Sequence, residues 1–316
     1  MRRNPSTGRT PAPARRNRTG TSPSGGRLRI ALAQIAPALG NLETNLAIHL
    51  DWARRARRAG ARLVVFPELS LTGYRLQDLV SEVALRLDVQ GPLAPLIAAS
   101  RTIAIACGLV EESEGHRYYN SSVLLEGGRI RHVHRKVYLP TYGMFEEGRY
   151  FAPGDRLEAF RTPLGRMGML VCEDLWHPSS ALVLAQDGAD VLLVLSNGPT
   201  QAVAGAGGPK NQETWSDLIK VTAQMQTTFV VLVNRVGCED GVSFGGGSAV
   251  VDPLGRVIAQ AEGAREELLV CDLDRATLRR ARTFYPLLRD ERLGVVAREI
   301  QRLLSVPAGD RGPGGS

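Results

Sequence analysis

Three side chains in this sequence have the type and setting needed for acyl transfer. Cys172 ends the apolar stretch 168–171, and Glu173, Asp174, Leu175 and Trp176 follow it at once. A thiol on the turn after a strand is exposed at the sheet edge, with the next backbone N–H facing the same point. That is the logic of a nucleophile beside an oxyanion site. Glu68 follows the short apolar segment 63–66 and Pro67, at the kind of strand end where α/β proteins build their sites. Lys136 closes the segment 130–135. Only three of the 39 basic residues are lysines, at 136, 210 and 220. In a chain so biased toward arginine, the few lysines are worth checking for a role that a guanidinium cannot fill, and this singles out Lys136.

The three groups make joint chemical sense. A thiol with a pKa of about 8.5 needs activation to attack a carbonyl at neutral pH. A partly desolvated glutamate can take its proton as a general base. An ammonium is expected to lower the thiol pKa and, with the Glu173 backbone N–H, to hold a tetrahedral oxyanion. The set needs no metal or cofactor. His132 and His134 fall on one face of a strand, but no third ligand with metal spacing accompanies them. They are read as strand-surface histidines. Cys107, Cys238 and Cys271 lack the strand-to-turn setting and are read as structural.

The elements that would position these groups alternate along the chain. Strands are expected at 28–34, 63–66, 102–110, 118–126, 130–135, 167–171, 191–195, 228–234, 248–252, 257–260 and 268–272. Helices are expected at 41–59, 78–87, 92–100, 179–188, 213–226 and 274–282. Residues 137–165 and 199–210 read as long loops, of the kind that carry function. This alternation predicts an α/β fold. No interior linker divides the chain, so 28–306 is expected to be one domain. No dinucleotide-binding or P-loop glycine motif is present.

Composition narrows the function classes. The formal charge of +7 belongs to the amino-terminal segment: seven of the 39 basic residues lie in 1–27, which holds no acidic residue. The remaining 32 basic residues face 32 acidic ones. The body is therefore neutral, and 1–27 and 307–316 are expected to be solvated tails. Nucleic-acid binding would rest on the first tail alone and is set aside. The longest apolar runs, such as 191–195, are far short of the roughly 20 residues that cross a bilayer. Four cysteines without a CxxC pair are expected to be free thiols in a reducing cytoplasm.

Six segments carry a resemblance to a known family. They are F-P-E-L-S-L-T-G-Y (66–74), H-R-K-V-Y-L-P (134–140), E-G-R-Y-F-A-P-G (147–154), G-M-L-V-C-E-D-L-W-H-P (168–178), N-R-V-G (234–237) and G-G-S-A-V-V-D-P-L-G (246–255). In this order the chain resembles the nitrilase superfamily of carbon–nitrogen hydrolases over roughly 28–290. The resemblance implies a four-layer α-β-β-α sandwich paired into homodimers or larger homo-oligomers. It places the Glu–Lys–Cys triad on Glu68, Lys136 and Cys172, and a second glutamate on Glu147, with Glu146 adjacent. It implies cleavage of a small-molecule amide or carbamoyl-amide bond through a cysteine thioester.

Around the cysteine the chain is similar to the glutaminase domain of glutamine-dependent NAD synthetases. That similarity implies a substrate pocket shaped by Tyr142 and Glu173; Asn197 is a third candidate for substrate binding. The glutaminase also places a serine and an arginine in the loop after the next strand. Residues 198–209 contain neither, and Lys210 is the nearest cation. An amidase is therefore favoured over a glutaminase or a nitrilase. A catalytically silent scaffold is the non-enzyme alternative.

Overall fold

The structure, a computed structural model, describes residues 26–200 and 211–306. The expectations for both tails and for most of the loop 199–210 fall on residues outside these. The strands are β1 (Arg27–Gln34), β2 (Leu63–Val65), β3 (Ala104–Glu112), β4 (Tyr118–Leu125), β5 (Ile130–Arg135), β6 (Phe160–Thr162) and β7 (Gly165–Val171). They continue with β8 (Val191–Ser196), β9 (Phe229–Asn234), β10 (Val236–Glu239), β11 (Val242–Gly245), β12 (Ala249–Val251), β13 (Val257–Gln260) and β14 (Glu267–Asp274).

Twelve of them form two six-stranded sheets, ordered β14-β1-β2-β3-β4-β5 and β13-β12-β9-β8-β7-β6. In each sheet the central strands are parallel, β1-β2-β3 in one and β7-β8-β9 in the other. β10 and β11 form a separate hairpin. Alternation of side chains across each strand builds the layers. Leu28, Ile30 and Leu32 of β1 pack with Val191, Leu193 and Leu195 of β8 between the sheets. Ala31 and Ala33 point the other way, against Trp52, Ala53 and Ala56 of the helix Leu42–Arg58. Leu192 and Val194 pack against Leu184 and against Trp215 and Ile219, on the helices Pro178–Gln186 and Asn211–Met225. The result is the four-layer α-β-β-α sandwich. Both faces of the central strands are covered, which explains unbroken apolar runs in place of alternation.

β5 is antiparallel to β4, which is antiparallel to β3. The carboxyl ends of β2 and β5 therefore share one edge of their sheet, and β7 and β8 share one edge of theirs. Three expectations needed correction. The helix expected at 78–87 reaches only Val83, as a 3-10 turn (Gln77–Leu79) running into Val80–Val83, and Leu85 instead bridges Glu111 in parallel fashion. Arg27 belongs to β1, not to the tail. The loop expected over 137–165 carries β6 (Phe160–Thr162), and beyond 282 lies an amphipathic helix, Leu293–Ser305, in which no residue is buried.

Candidate active site

Glu68 sits where the chain leaves β2. Phe66 continues the ladder by donating to the Ala106 carbonyl at 2.8 Å, and the backbone then turns sharply with Leu69 at φ 43°. That turn lies directly on β3. A Cβ at Gly108 would fall 2.2 Å from the Leu69 nitrogen, so only glycine admits the approach. Glu68 is buried, with no side-chain surface exposed. Its Oε1 accepts from Lys136 Nζ at 2.9 Å and Asn120 Nδ2 at 2.7 Å, and its Oε2 from the Asn197 backbone N–H at 2.9 Å. The Asn197 side chain donates to the Glu68 carbonyl at 2.9 Å. Asn197 thus fixes Glu68 from the end of β8.

Lys136 follows β5 and is fully buried. Its ammonium also donates to Glu147 Oε1 at 2.7 Å. An ammonium has three N–H bonds, and the two carboxylates take two of them. Gly154 packs on the same strand end, donating to the Lys136 carbonyl at 2.7 Å. Glu147 opens a single helical turn, Glu147–Tyr150. It is buried while Glu146 is exposed, which separates the two neighbours. Tyr74 donates its phenol proton to Glu147 Oε1 at 2.9 Å, and Glu147 Oε2 is buried without a hydrogen-bond partner.

Cys172 begins the helical turn Cys172–Trp176 and adopts φ 44°. A left-handed β-carbon-bearing residue stores strain of about 1–3 kcal/mol, and the sequence holds it there through Asp174. One Asp174 oxygen accepts from the Val137 and Tyr138 N–H groups at 2.9 and 3.0 Å. The other accepts from the Val171 N–H at 2.9 Å and from His134 Nε2 at 2.8 Å. A single buried carboxylate therefore ties the cysteine turn to the chain just after Lys136. Ser196 Oγ lies 3.5 Å from the Cys172 sulfur.

The expected lowering of the thiol by Lys136 is present but outweighed. Burial and the Glu68 charge push the Cys172 thiol well above its usual range, and the opposing pull of Lys136 is smaller. Burial and Glu68 thus favour the neutral thiol over the thiolate. Burial would lower Lys136, but the Glu147 and Glu68 carboxylates outweigh it and keep the ammonium charged. Burial also raises Glu147, against the pull of Lys136, to about 7.

At the outer side, Tyr142 is half exposed and donates to Glu173 Oε2 at 2.9 Å. His177 approaches the other Glu173 oxygen at 3.9 Å and stacks on Tyr138 with ring centroids 3.5 Å apart. The two histidines of β5 are not both surface groups. His134 is buried on Asp174, and His132 is half buried and stacks on Phe160 at 3.9 Å. Asn120, Tyr74, Asp174 and Ser196 join the site without having been singled out from the sequence. Only Tyr74 and Asp174 lie within the segments shared with the family, 66–74 and 168–178.

Residues 29–283 match the carbon-nitrogen hydrolase family. The chain belongs to this family of carbon–nitrogen hydrolases. Among its relatives is the (R)-stereoselective amidase of Pseudomonas sp., 36% identical over 84% of this chain and 92% of the relative. Another is the glutamine-dependent NAD(+) synthetase of Acinetobacter baylyi, 33% identical over 78% of this chain but 44% of the synthetase. This carbon–nitrogen hydrolase thus spans less than half the length of the synthetases it matches. Its fold is similar to that of a carbon-nitrogen hydrolase from Helicobacter pylori G27, with TM-score 0.77 and 26% identity over 87% of this chain and 99% of that one. It is also similar to an amidase from Nesterenkonia sp. AN1, with TM-score 0.72 and 27% identity over 86% of this chain and 96% of that one. That amidase variant carries the acetamide moiety of fluoroacetamide, added covalently at its active-site cysteine.

Proposed function

We propose that this carbon–nitrogen hydrolase cleaves the amide bond of a small molecule through a thioester on Cys172, releasing ammonia or an amine. The observation that carries this reading is the buried Lys136 ammonium held between the Glu68 and Glu147 carboxylates, beside a strained cysteine turn. The neutral Cys172 thiol gives its proton to Glu68 as the sulfur attacks the amide carbon. The third Lys136 N–H and the Glu173 backbone N–H hold the oxyanion. Glu68 passes the proton to the leaving nitrogen, which departs as ammonia or amine and leaves the acyl group on sulfur. Glu68 then takes a proton from water as the water attacks the thioester, and the returning proton restores the thiol. Glu147, through its unpaired Oε2, accepts from the substrate amide N–H and then from the water. No step calls for a metal or a cofactor.

A second reading is the glutaminase, favoured by the similarity to NAD synthetases and by the Tyr142–Glu173 hydrogen bond at the mouth. In it the carboxylate of Glu173 would face the substrate's ammonium. We further propose that residues 28–306 act as one hydrolase unit in a reducing cytoplasm. The four cysteines are free, and no helix among the described residues is long and apolar enough to cross a membrane. Pairing into homodimers is supported by apolar side chains left exposed on outer helices, among them Val183, Val221 and Met225.

The test is ammonia release from a panel of simple amides, N-carbamoyl compounds, glutamine and nitriles, with Cys172→Ala as control. Release from a simple amide or carbamoyl compound, lost in the variant, supports the amidase. Release from glutamine alone moves the protein to the second reading. Wild-type turnover by Cys172→Ala would overturn both.

A further inference from the structure

The hairpin β10–β11 lies outside both sheets, yet Glu239 of β10 and Arg235, which leads into it, form a fully buried ion pair. Arg235, at 1% exposure one of the largest enclosed side chains, donates from Nη1 to Glu239 Oε1 at 2.7 Å. Desolvating both charges is expensive, and a buried pair is weak evidence for added stability. What Glu239 does with its second oxygen is more telling. Oε2 accepts from the backbone N–H of Tyr74 at 2.9 Å and of Arg75 at 2.8 Å. These are long-range contacts onto the loop that begins at Glu68. Phe244 of β11 completes the hold: the Arg235 guanidinium lies 4.3 Å above its ring, and the Tyr74 ring meets it edge-on at 6.2 Å and 84°. Tyr74 is thereby fixed at both its backbone and its ring, with its hydroxyl on Glu147 Oε1 at 2.9 Å.

We infer that the Arg235–Glu239 pair and Phe244 act as a clamp that positions Tyr74, and that Tyr74 in turn sets the orientation and protonation of Glu147. This rests on the hydrolase reading above, in which Glu147 must be ionised to accept from the substrate. With Oε1 occupied by Tyr74 and Lys136, the unpaired Oε2 is the oxygen left for substrate and water. Tyr74, Arg235 and Glu239 are positioning residues, since none needs to touch the substrate. The groups that face Glu147 are Lys136 beyond β5, Glu68 beyond β2, Cys172 beyond β7 and Tyr74 itself, with Arg75 and Glu146 lining the outer side. Of these, Lys136 and Tyr74 favour the ionised carboxylate, whereas burial and Glu68 oppose it. Loosening Tyr74 must therefore raise the pH at which Glu147 ionises.

The experiment is the pH profile of kcat/KM from about pH 5 to 9 for the amide hydrolysed best in the panel above, with thermal midpoints measured alongside. Tyr74→Phe removes only the hydroxyl and keeps the ring against Phe244. It should move the acid limb up by about one pH unit, a tenfold change in proton affinity, and lower kcat about tenfold with KM within about threefold. Glu239→Gln should move the limb in the same direction. Because Glu239→Gln leaves Arg235 without its counter-charge and could unfold, Glu239→Asp is the second variant. It keeps the charge and shortens the reach to the Tyr74 N–H. An unmoved limb in Tyr74→Phe, or in a folded Glu239 variant whose thermal midpoint alone falls, would overturn the clamp. Turnover that survives Cys172→Ala would instead overturn the underlying hydrolase reading.

Discussion

Asp174→Asn tests whether the cysteine turn and the lysine strand are held by one group. The carboxylate accepts four hydrogen bonds with no exposed surface. An asparagine can turn its oxygen to the Val137 and Tyr138 N–H groups, but its NH2 then meets the Val171 N–H donor to donor. A hydrogen bond to a charged acceptor is worth about 1.5–3 kcal/mol, and a buried donor left unpaired costs about 1–3 kcal/mol. His134 can relieve its own contact by changing tautomer, so the net loss should be about 3 kcal/mol. At about 2 °C per kcal/mol for a chain of this size, the thermal midpoint should fall by about 6 °C. The left-handed Cys172 backbone would also relax, and a misplacement of about 1 Å should lower kcat/KM about 100-fold. The assays are thermal unfolding, amide turnover and the rate of iodoacetamide capture at Cys172, read by peptide mapping. His134 and the backbone N–H groups hold Asp174 below the usual carboxylate range despite its burial. Its contribution to stability is therefore complete above about pH 4 and is lost as pH falls through the depressed value. The gap between wild type and variant should close in acid. A variant with wild-type turnover and midpoint at pH 7 would refute the staple.

The acid limb of wild-type kcat/KM should lie near pH 7, because Glu147 titrates at about 7 and must be ionised to accept from the amide; a limb near pH 4 would remove Glu147 from that role. Lys136→Arg should lose at least about 100-fold in kcat although charge is kept, since a guanidinium does not fit the slot between Glu68 and Glu147 or present the third N–H; steady-state kinetics on folded protein check this. Gly108→Ala should destabilise the fold by about 3 kcal/mol and displace Glu68, because the added methyl would meet the Leu69 nitrogen at 2.2 Å. Denaturant unfolding measures the first effect, and turnover the second.

The composition and local pattern of the sequence determined much of this protein. Strands at 130–135 and 257–260 were read to the residue, because their ends are marked by glycine, proline or a change of period. Apolar runs such as 191–195, now β8 (Val191–Ser196), announced strands covered on both faces, and hence the layered α/β class. Glu68, Lys136 and Cys172 were each legible as a polar group at an apolar strand's end. The resemblance to the family placed the second glutamate on Glu147, whereas the residues alone did not separate it from Glu146; burial does so, and local sequence does not carry burial.

Tertiary structure alone decided the rest, because those features depend on partners far away in the chain. The segment 78–87 has helical spacing, yet Leu85 is drawn into an extended bridge with Glu111. The hairpin Val236–Glu239 and Val242–Gly245 is the exception: its Asp240-Gly241 turn is a local hairpin signal, but Glu239, buried on Arg235, breaks the alternation of the flanking strands. His134 looked solvated until Asp174, forty residues on, received its ring. The thiol was expected to be lowered by a neighbouring ammonium. Lys136 does pull it down, but desolvation and Glu68 outweigh that pull, and the sequence has no means of weighing burial against charge. Residue types and their place at strand ends specify which groups can react. The packing of two sheets and a hairpin around them specifies which protons they hold.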